Sequence, residues 1–259
     1  MSDKSIGIFD SGVGGTSIWK EIHQLLPNEH TIYLADSINA PYGTKGTKII
    51  TELSVKNTEF LLKKDCKLIV VACNTATTNA IDYLRKTFDV PFIGIEPAIK
   101  PAALNTKTNA VGILATKGTL SSALFSKTSG RFASNIKVIE REGTGIVELI
   151  ESGKLRSDEM RTLLHQYLEP MLKAHIDYLV LGCTHYPYLI PILLELLPNH
   201  VKIIDSGEAV ARQTKAILEK NNLLNTAKVS PKLEFYTNGS VEVMQSLLGN
   251  SLDIDYLKF

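Results

Sequence analysis

Three cysteines in 259 residues, an odd number at wide spacing, exclude a disulfide framework and point to reduced thiols in a cytosol. The first residues, "MSDKSIGIFDSG", lack the basic stretch, long apolar stretch and small-residue cleavage site of a signal peptide, so a cytoplasmic location is expected. No apolar run approaches the ~18 residues of a membrane span, which excludes a membrane as partner. An excess of charge of either sign is also missing. The 28 Lys and Arg against 27 Asp and Glu leave a formal net charge of +1, so no global field recruits nucleic acid. Low-complexity segments and Pro/Gly linkers are absent as well.

What is present is a chain with 44% hydrophobic and 21% charged residues, ample for a buried core, and long enough for one large domain or two small ones. Short strand-type runs alternate with longer helical ones. The runs are "SIGIF" (5–9), "TIYLA" (31–35), "KLIVVA" (67–72), "PFIGI" (91–95), "AVGILA" (110–115), "IKVIE" (136–140), "DYLVLG" (177–182) and "VKIID" (201–205). Helical stretches such as 46–63 and 75–88 lie between them. This rhythm predicts βαβ units and mainly parallel sheets with helices on both faces.

The two halves can be laid over each other. Asp10 to Cys73 spans 63 residues, and Thr116 to Cys183 spans 67. "VVACNTATTNA" (70–80) and "VLGCTHYPYLI" (180–190) each carry an apolar strand into a cysteine followed by small polar residues. Any α/β chain gives similar spacings by chance, but here strand order and cysteine coincide together. The expected fold is therefore α/β with two similar lobes, each a mainly parallel sheet flanked by helices, and an active site in the cleft between them. Residues 98–206 form the second lobe. Residues 207–259, with a helical run at 207–222, a strand at 232–237 and a short helix near 240–248, cross back to complete the first lobe with 1–97.

Ligands of parallel α/β sheets bind outside the carboxyl ends of the strands. Asp10, Ser11, Cys73, Asn74, Thr75, Thr116, Cys183, Thr184 and His185 all fall there. Two thiols on opposite walls of one cleft suit a two-base reaction that inverts a stereocentre. A thiol with pKa about 8.5 needs only a modest push to act as a base, and Asp10 and His185 are candidates for that push. The plain alternative is that a strand-end cysteine is a small buried hydrophobe; the repeated context argues against it for Cys73 and Cys183, whereas Cys66, outside the repeat, is read as structural. Cys183 and His185 have no CxxC or HxxxH companion, so no metal is expected. The other five histidines (23, 30, 165, 175, 200) read as surface or packing residues. "GVGG" (12–15) is half of a dinucleotide loop and reads better as backbone N–H groups facing a carboxylate. "APYG" (40–43) is an ordinary turn or part of a binding wall.

The blocks "GIFDSGVGG", "APYG", "ACNTAT", "GILAT" and "LGCTHYP", spread over residues 7–187, resemble the glutamate racemases of the cofactor-independent amino-acid racemase superfamily. The resemblance implies an enzyme that interconverts L- and D-glutamate with no cofactor and supplies D-glutamate for peptidoglycan. It implies that Cys73 deprotonates D-glutamate and Cys183 deprotonates L-glutamate, assisted by Asp10 and His185. It further implies a helical site glutamate, Glu151 in preference to Glu148. Substrate contacts carry over to Asp10, Ser11, Pro41, Tyr42, Gly43, Asn74, Thr75, Thr116, Thr119 and Thr184. A homodimer is expected on the same ground. Two other readings stay open: a different racemase or decarboxylase of the superfamily, and a non-catalytic amino-acid-binding protein.

Overall fold

The computed structural model describes residues 3–133, 135–227 and 230–259. Ten strands are described: β1 (Ile6–Asp10), β2 (Thr31–Ala35), β3 (Leu68–Val71), β4 (Phe92–Gly94), β5 (Ala110–Ala115), β6 (Lys137–Glu142), β7 (Tyr178–Gly182), β8 (Lys202–Ile204), β9 (Leu233–Thr237) and β10 (Ile254–Tyr256). The helices are α1 (Thr16–Leu25), α2 (Thr47–Lys63), α3 (Asn74–Thr87), α4 (Ile99–Asn105), α5 (Lys117–Leu120), α6 (Ala123–Phe132), α7 (Ile146–Glu151), α8 (Asp158–Lys173), α9 (Ile190–Leu196), α10 (Gly207–Lys220) and α11 (Val241–Leu248). Among the described residues no helix is long and apolar enough to cross a membrane.

Every strand pair is parallel, in two sheets: β10-β9-β2-β1-β3-β4 and β6-β5-β7-β8. The order β2-β1-β3-β4 is reproduced as β6-β5-β7-β8, which is the signature of a duplicated unit. The duplication reaches into the turns. Asp65 after α2 (φ 61) and His175 after α8 (φ 57) are both left-handed helix ends that reverse the chain into the next strand. Each stands eight residues before its strand-end cysteine, Cys73 or Cys183.

The central strands are apolar because both faces are covered. All of Leu68–Val71 is buried, as is all of Ala110–Ala115. Strand β10 was not expected from the sequence. "IDY" is three residues long and mostly exposed, so no apolar run announces it. It and β9 extend the first sheet on the β2 side.

In both sheets the order reverses between the first and third strands of the unit, β1/β3 and β5/β7. This is the topological switch point, where loops at the strand ends diverge and leave a crevice. Asp10–Gly15 and Cys73–Thr75 frame one crevice; Thr116 and Cys183–His185 frame the other.

At the opposite end of the first sheet a buried ion pair ties three segments together. Lys67 Nζ lies 2.5 Å from Glu29 Oε2, with both side chains 1% exposed, and the Asn225 amide donates to Glu29 Oε1 at 2.7 Å. Breaking a buried pair by removing one partner is strongly destabilising. Glu29→Gln is therefore expected to lower unfolding stability by about 3–5 kcal/mol in urea titrations. A negligible loss would show that water reaches the pair.

Candidate active site

Cys73 closes β3 and caps α3. Its backbone is extended (φ −139, ψ 119), and its Sγ accepts the Ala76 amide at 3.4 Å. The thiol donates to Ser11 Oγ at 3.5 Å, and Ser11 Oγ donates to Asp10 Oδ1 at 3.4 Å. Asp10 is fully buried and its other oxygen accepts from the Gly15 amide at 2.7 Å and the Thr184 hydroxyl at 3.4 Å. Burial raises the Asp10 carboxyl above its usual range, against the opposing charge of His185. Burial, and then the charge of Asp10, lift the Cys73 thiol well above its ordinary value. The charge of Asp10 therefore does not lower the Cys73 thiol; an anion beside a thiol favours the proton staying on.

Cys183 is served differently. Its Sγ lies 3.7 Å from His185 Nδ1, and His185 Nε2 lies 2.6 Å from Glu151 Oε1. A carboxylate only accepts, so Nε2 carries a proton. The Gly14 amide, 3.3 Å from the same nitrogen, is then not accepted by the ring. Burial alone would lower His185, but hydrogen bonds to Cys183 and Glu151 and the charges of both carry it well above the usual histidine value. Glu151 Oε1 also accepts the Val13 amide at 2.7 Å, so one carboxylate of the second lobe binds the β1–α1 loop of the first.

Ser11, Pro41, Tyr42, Gly43, Cys73, Asn74, Thr75, Thr116, Cys183, Thr184 and His185 line one cavity of about 10 Å³, together with Val147. Asp10, Thr119 and Glu151 stand behind this lining. Tyr42 is a wall residue whose hydroxyl is already used, donating to the buried Asp36 at 2.6 Å. Thr75, Thr116 and Thr119 form a triangle of hydroxyls across the cleft, with oxygens 2.7, 3.1 and 3.3 Å apart. Asn74 is 3% exposed and its Nδ2 has no hydrogen-bond partner, a donor held open toward the cavity. Glu148 lies farther out, on a cavity of about 30 Å³ at the mouth with Lys117 and Glu142.

The "GVGG" amides do face carboxylates, but these are the chain's own: Gly15 meets Asp10 and Val13 meets Glu151. Sequence reasoning missed Val147 and Asp36. Val147 sits in an apolar helix run with nothing to single it out, and Asp36 follows β2 where any turn residue would fit. Cys66, buried beside β1 and away from the cleft, has its thiol pushed up to about 12 by burial. Among the described residues no group of three or more His, Cys, Asp or Glu is placed to hold a metal ion.

Two strand-end thiols line one small crevice between two parallel α/β sheets of the same strand order, which defines the class of the fold. The comparisons agree. A model of the Asp/Glu/hydantoin racemase family matches residues 6–214, and the chain belongs to that family. It is 47% identical to a glutamate racemase of Ectopseudomonas mendocina over 96% of this chain and 94% of that protein. It is 43% identical to the glutamate racemase of Pseudomonas aeruginosa over 96% and 94%. Among solved structures, the glutamate racemase isoform RacE1 of Bacillus anthracis superposes with a TM-score of 0.89 at 31% identity, covering 100% of this chain and 98% of that one. The Escherichia coli glutamate racemase, solved with L-glutamate and the activator UDP-MurNAc-Ala, gives a TM-score of 0.84 at 36% identity over 95% and 94%.

The electrostatics raise His185 above the ordinary histidine value. Replacing Glu151 by Gln removes one of the charges that raise it, so the imidazole should titrate lower in Glu151→Gln than in the parent. NMR of the ring resonances reads both; a parent His185 titrating at or below the ordinary histidine value would contradict the assignment.

Proposed function

We propose that this protein interconverts L- and D-glutamate by a two-base reaction in which Cys73 and Cys183 serve opposite faces of the α-carbon. The observation that carries the reading is the difference between the two thiols' surroundings. Burial and Asp10 hold Cys73 as a neutral thiol, a proton donor. A protonated His185 stands beside Cys183 and is the natural counter-ion for a thiolate, a base. That is the pairing needed to start from L-glutamate. The Cys183 thiolate takes the α-proton, the C–H electron pair passes into the α-carboxylate as an enediolate, and the Cys73 thiol returns a proton to the other face. The product is D-glutamate, with Cys183 now protonated and Cys73 anionic. Starting from D-glutamate the same steps run backwards.

The remaining residues bind and shield. The open amide of Asn74 and the hydroxyls of Ser11, Thr75, Thr116, Thr119 and Thr184 suit two carboxylates and an ammonium. Pro41, Tyr42 and Gly43 wall off water, which would otherwise quench a carbanion far more basic than any thiolate. Between turnovers Asp10, linked to Cys73 through Ser11, and His185, oriented by Glu151, exchange protons with their thiols and reset the pair. This reading includes a lobe of 1–97 with 207–259 closing on a lobe of 98–206. The resemblance and the family membership also support a cytoplasmic homodimer that supplies D-glutamate for peptidoglycan.

The direct test is circular dichroism of D- and L-glutamate incubated with EDTA-treated protein and no added cofactor. Racemisation is expected; activity that vanishes with EDTA and returns with a metal ion would refute the mechanism. Asp10→Ala and His185→Ala should each lower kcat by about 100- to 10,000-fold, the usual worth of general acid–base assistance, with smaller changes in KM.

The thiols are separated by their single variants. Cys73→Ala and Cys183→Ala should both lose racemisation. In deuterium oxide, Cys73→Ala should wash deuterium into L-glutamate alone and Cys183→Ala into D-glutamate alone, each without inversion. Substantial racemisation by either variant would show that one cysteine is structural.

A further inference from the structure

The outer seam of the cleft is held by a residue that touches neither thiol. We propose that Asn79 is a positioning residue that clasps the two lobes shut over the cavity. The identity of what is enclosed rests on the racemase reading; the clasp itself rests on geometry alone.

Asn79 lies on α3, one turn beyond Thr75. Its Nδ2 donates to Thr75 O at 2.9 Å on its own helix and, across the cleft, to Gly118 O on α5 at 3.1 Å; Thr78 Oγ1 is 3.3 Å away. Its Oδ1 accepts from Thr47 Oγ1 at 2.9 Å, at the first turn of α2. Two carbonyl oxygens can only accept, so chemistry fixes which end of the amide faces them. One side chain thus joins α2, α3 and α5.

The seam it closes is a backbone contact. A Cβ on Gly118 would come within 2.7 Å of Thr75 Cγ2 and 3.0 Å of Gly43 Cα. Helix α5 is only four residues long and continues from Thr116 through Thr119, so fixing Gly118 fixes both hydroxyls. Behind the seam the cavity of about 10 Å³ has room for roughly one water. An amino acid the size of glutamate does not fit it, so the lobes must part to admit one.

Asn79 differs from the threonines in where its bond lies. Thr75 and Thr116 face the cavity and can exchange partners with a ligand. The Asn79–Gly118 bond is outside the cavity. It favours the closed arrangement of the ligand-free protein.

The three cysteines provide the gauge. Cys73 and Cys183 are 4% and 7% exposed inside the cleft, while Cys66 is 6% exposed in the core of the first lobe. Alkylation of the ligand-free protein by iodoacetamide, followed at each cysteine by peptide mass spectrometry, reports cleft opening at the first two and global unfolding at the third. In Asn79→Ala the Cys73 and Cys183 rates should rise about fivefold, what one net hydrogen bond is worth. Asn79→Asp, which sets a carboxylate against two carbonyls, should raise them further. Cys66 should be unchanged in both. Gly118→Ala, which wedges the seam from the other lobe, should give the same selective rise.

Unchanged cleft rates in the Asn79 variants, or equal acceleration of all three cysteines, would overturn the proposal. So would a selective rise in Gly118→Ala alone. Because no substrate is used, a protein that failed to racemise glutamate would sink the functional reading and leave this measurement standing.

Discussion

Much at the centre of the molecule depends on one part-buried contact, the Glu151 carboxylate against the His185 ring. In a site from which water is excluded such a pair is strong when satisfied and costly when not. It is satisfied by reaching across the cleft: the same carboxylate oxygen takes the Val13 amide of the first lobe. The approach is so close that side chains are forbidden beside it. A Cβ on Gly12 would overlap the Glu151 carboxylate, and one on Gly14 would overlap the His185 ring. The glycines of "GVGG" are thus explained by a neighbouring lobe rather than by a phosphate.

The duplication supplies geometry and the divergence supplies chemistry. Two strands of the same topological rank end in a cysteine at the same distance from the same type of helix end. The neighbours of the two cysteines differ. One has Asn74 and Thr75 at a helix start and Asp10 behind it; the other has Thr184 and a histidine. A fully symmetric site would hold two thiols or two thiolates, and neither pair can take a proton on one face while giving one on the other. In the proposed two-base reaction, unequal surroundings solve this without favouring either product. Enantiomers have equal free energy, so kcat/KM must be the same in both directions, and the asymmetry can appear only in how kcat and KM divide.

Much of this was legible in the sequence, for identifiable reasons. Fully buried parallel strands must be apolar along their whole length, so "TIYLA" and "AVGILA" matched β2 and β5 to the residue. The repeat announced itself because a cysteine is rare in this chain. Other features were hidden by physics that a linear reading does not contain. Glu148 and Glu151 are three residues apart on a six-residue helix, hence on neighbouring positions of one face, and only the packing of α7 sends one inward to His185 and the other to the mouth. The charge of Asp10 raises the Cys73 thiol, as any anion beside a thiol does, and burial, which a linear reading does not contain, adds the larger rise. Asn79 is an unremarkable polar residue on a helix until its partner on α5 is known.

A cavity of about 10 Å³ raises the question of how so small a site exchanges its contents. The answer lies in the kind of contact that seals it. Across the cleft the Thr75, Thr116 and Thr119 hydroxyls pair with one another, and the Ser17 hydroxyl donates to Thr184 O. Behind them the two chain crossovers lie side by side, with the Ser206 hydroxyl donating to Glu96 O. Hydroxyls act both as donors and as acceptors, so opening exchanges these bonds for bonds to water, and filling exchanges them for bonds to a carboxylate. Each exchange is nearly balanced in free energy. An apolar seal of the same area would gain from burial every time it closed and would resist opening accordingly. The hydroxyl and amide contacts of the outer seam can therefore exchange with water, while the Glu151–Val13 contact and the apolar packing shared by both sheets lie deeper between the lobes.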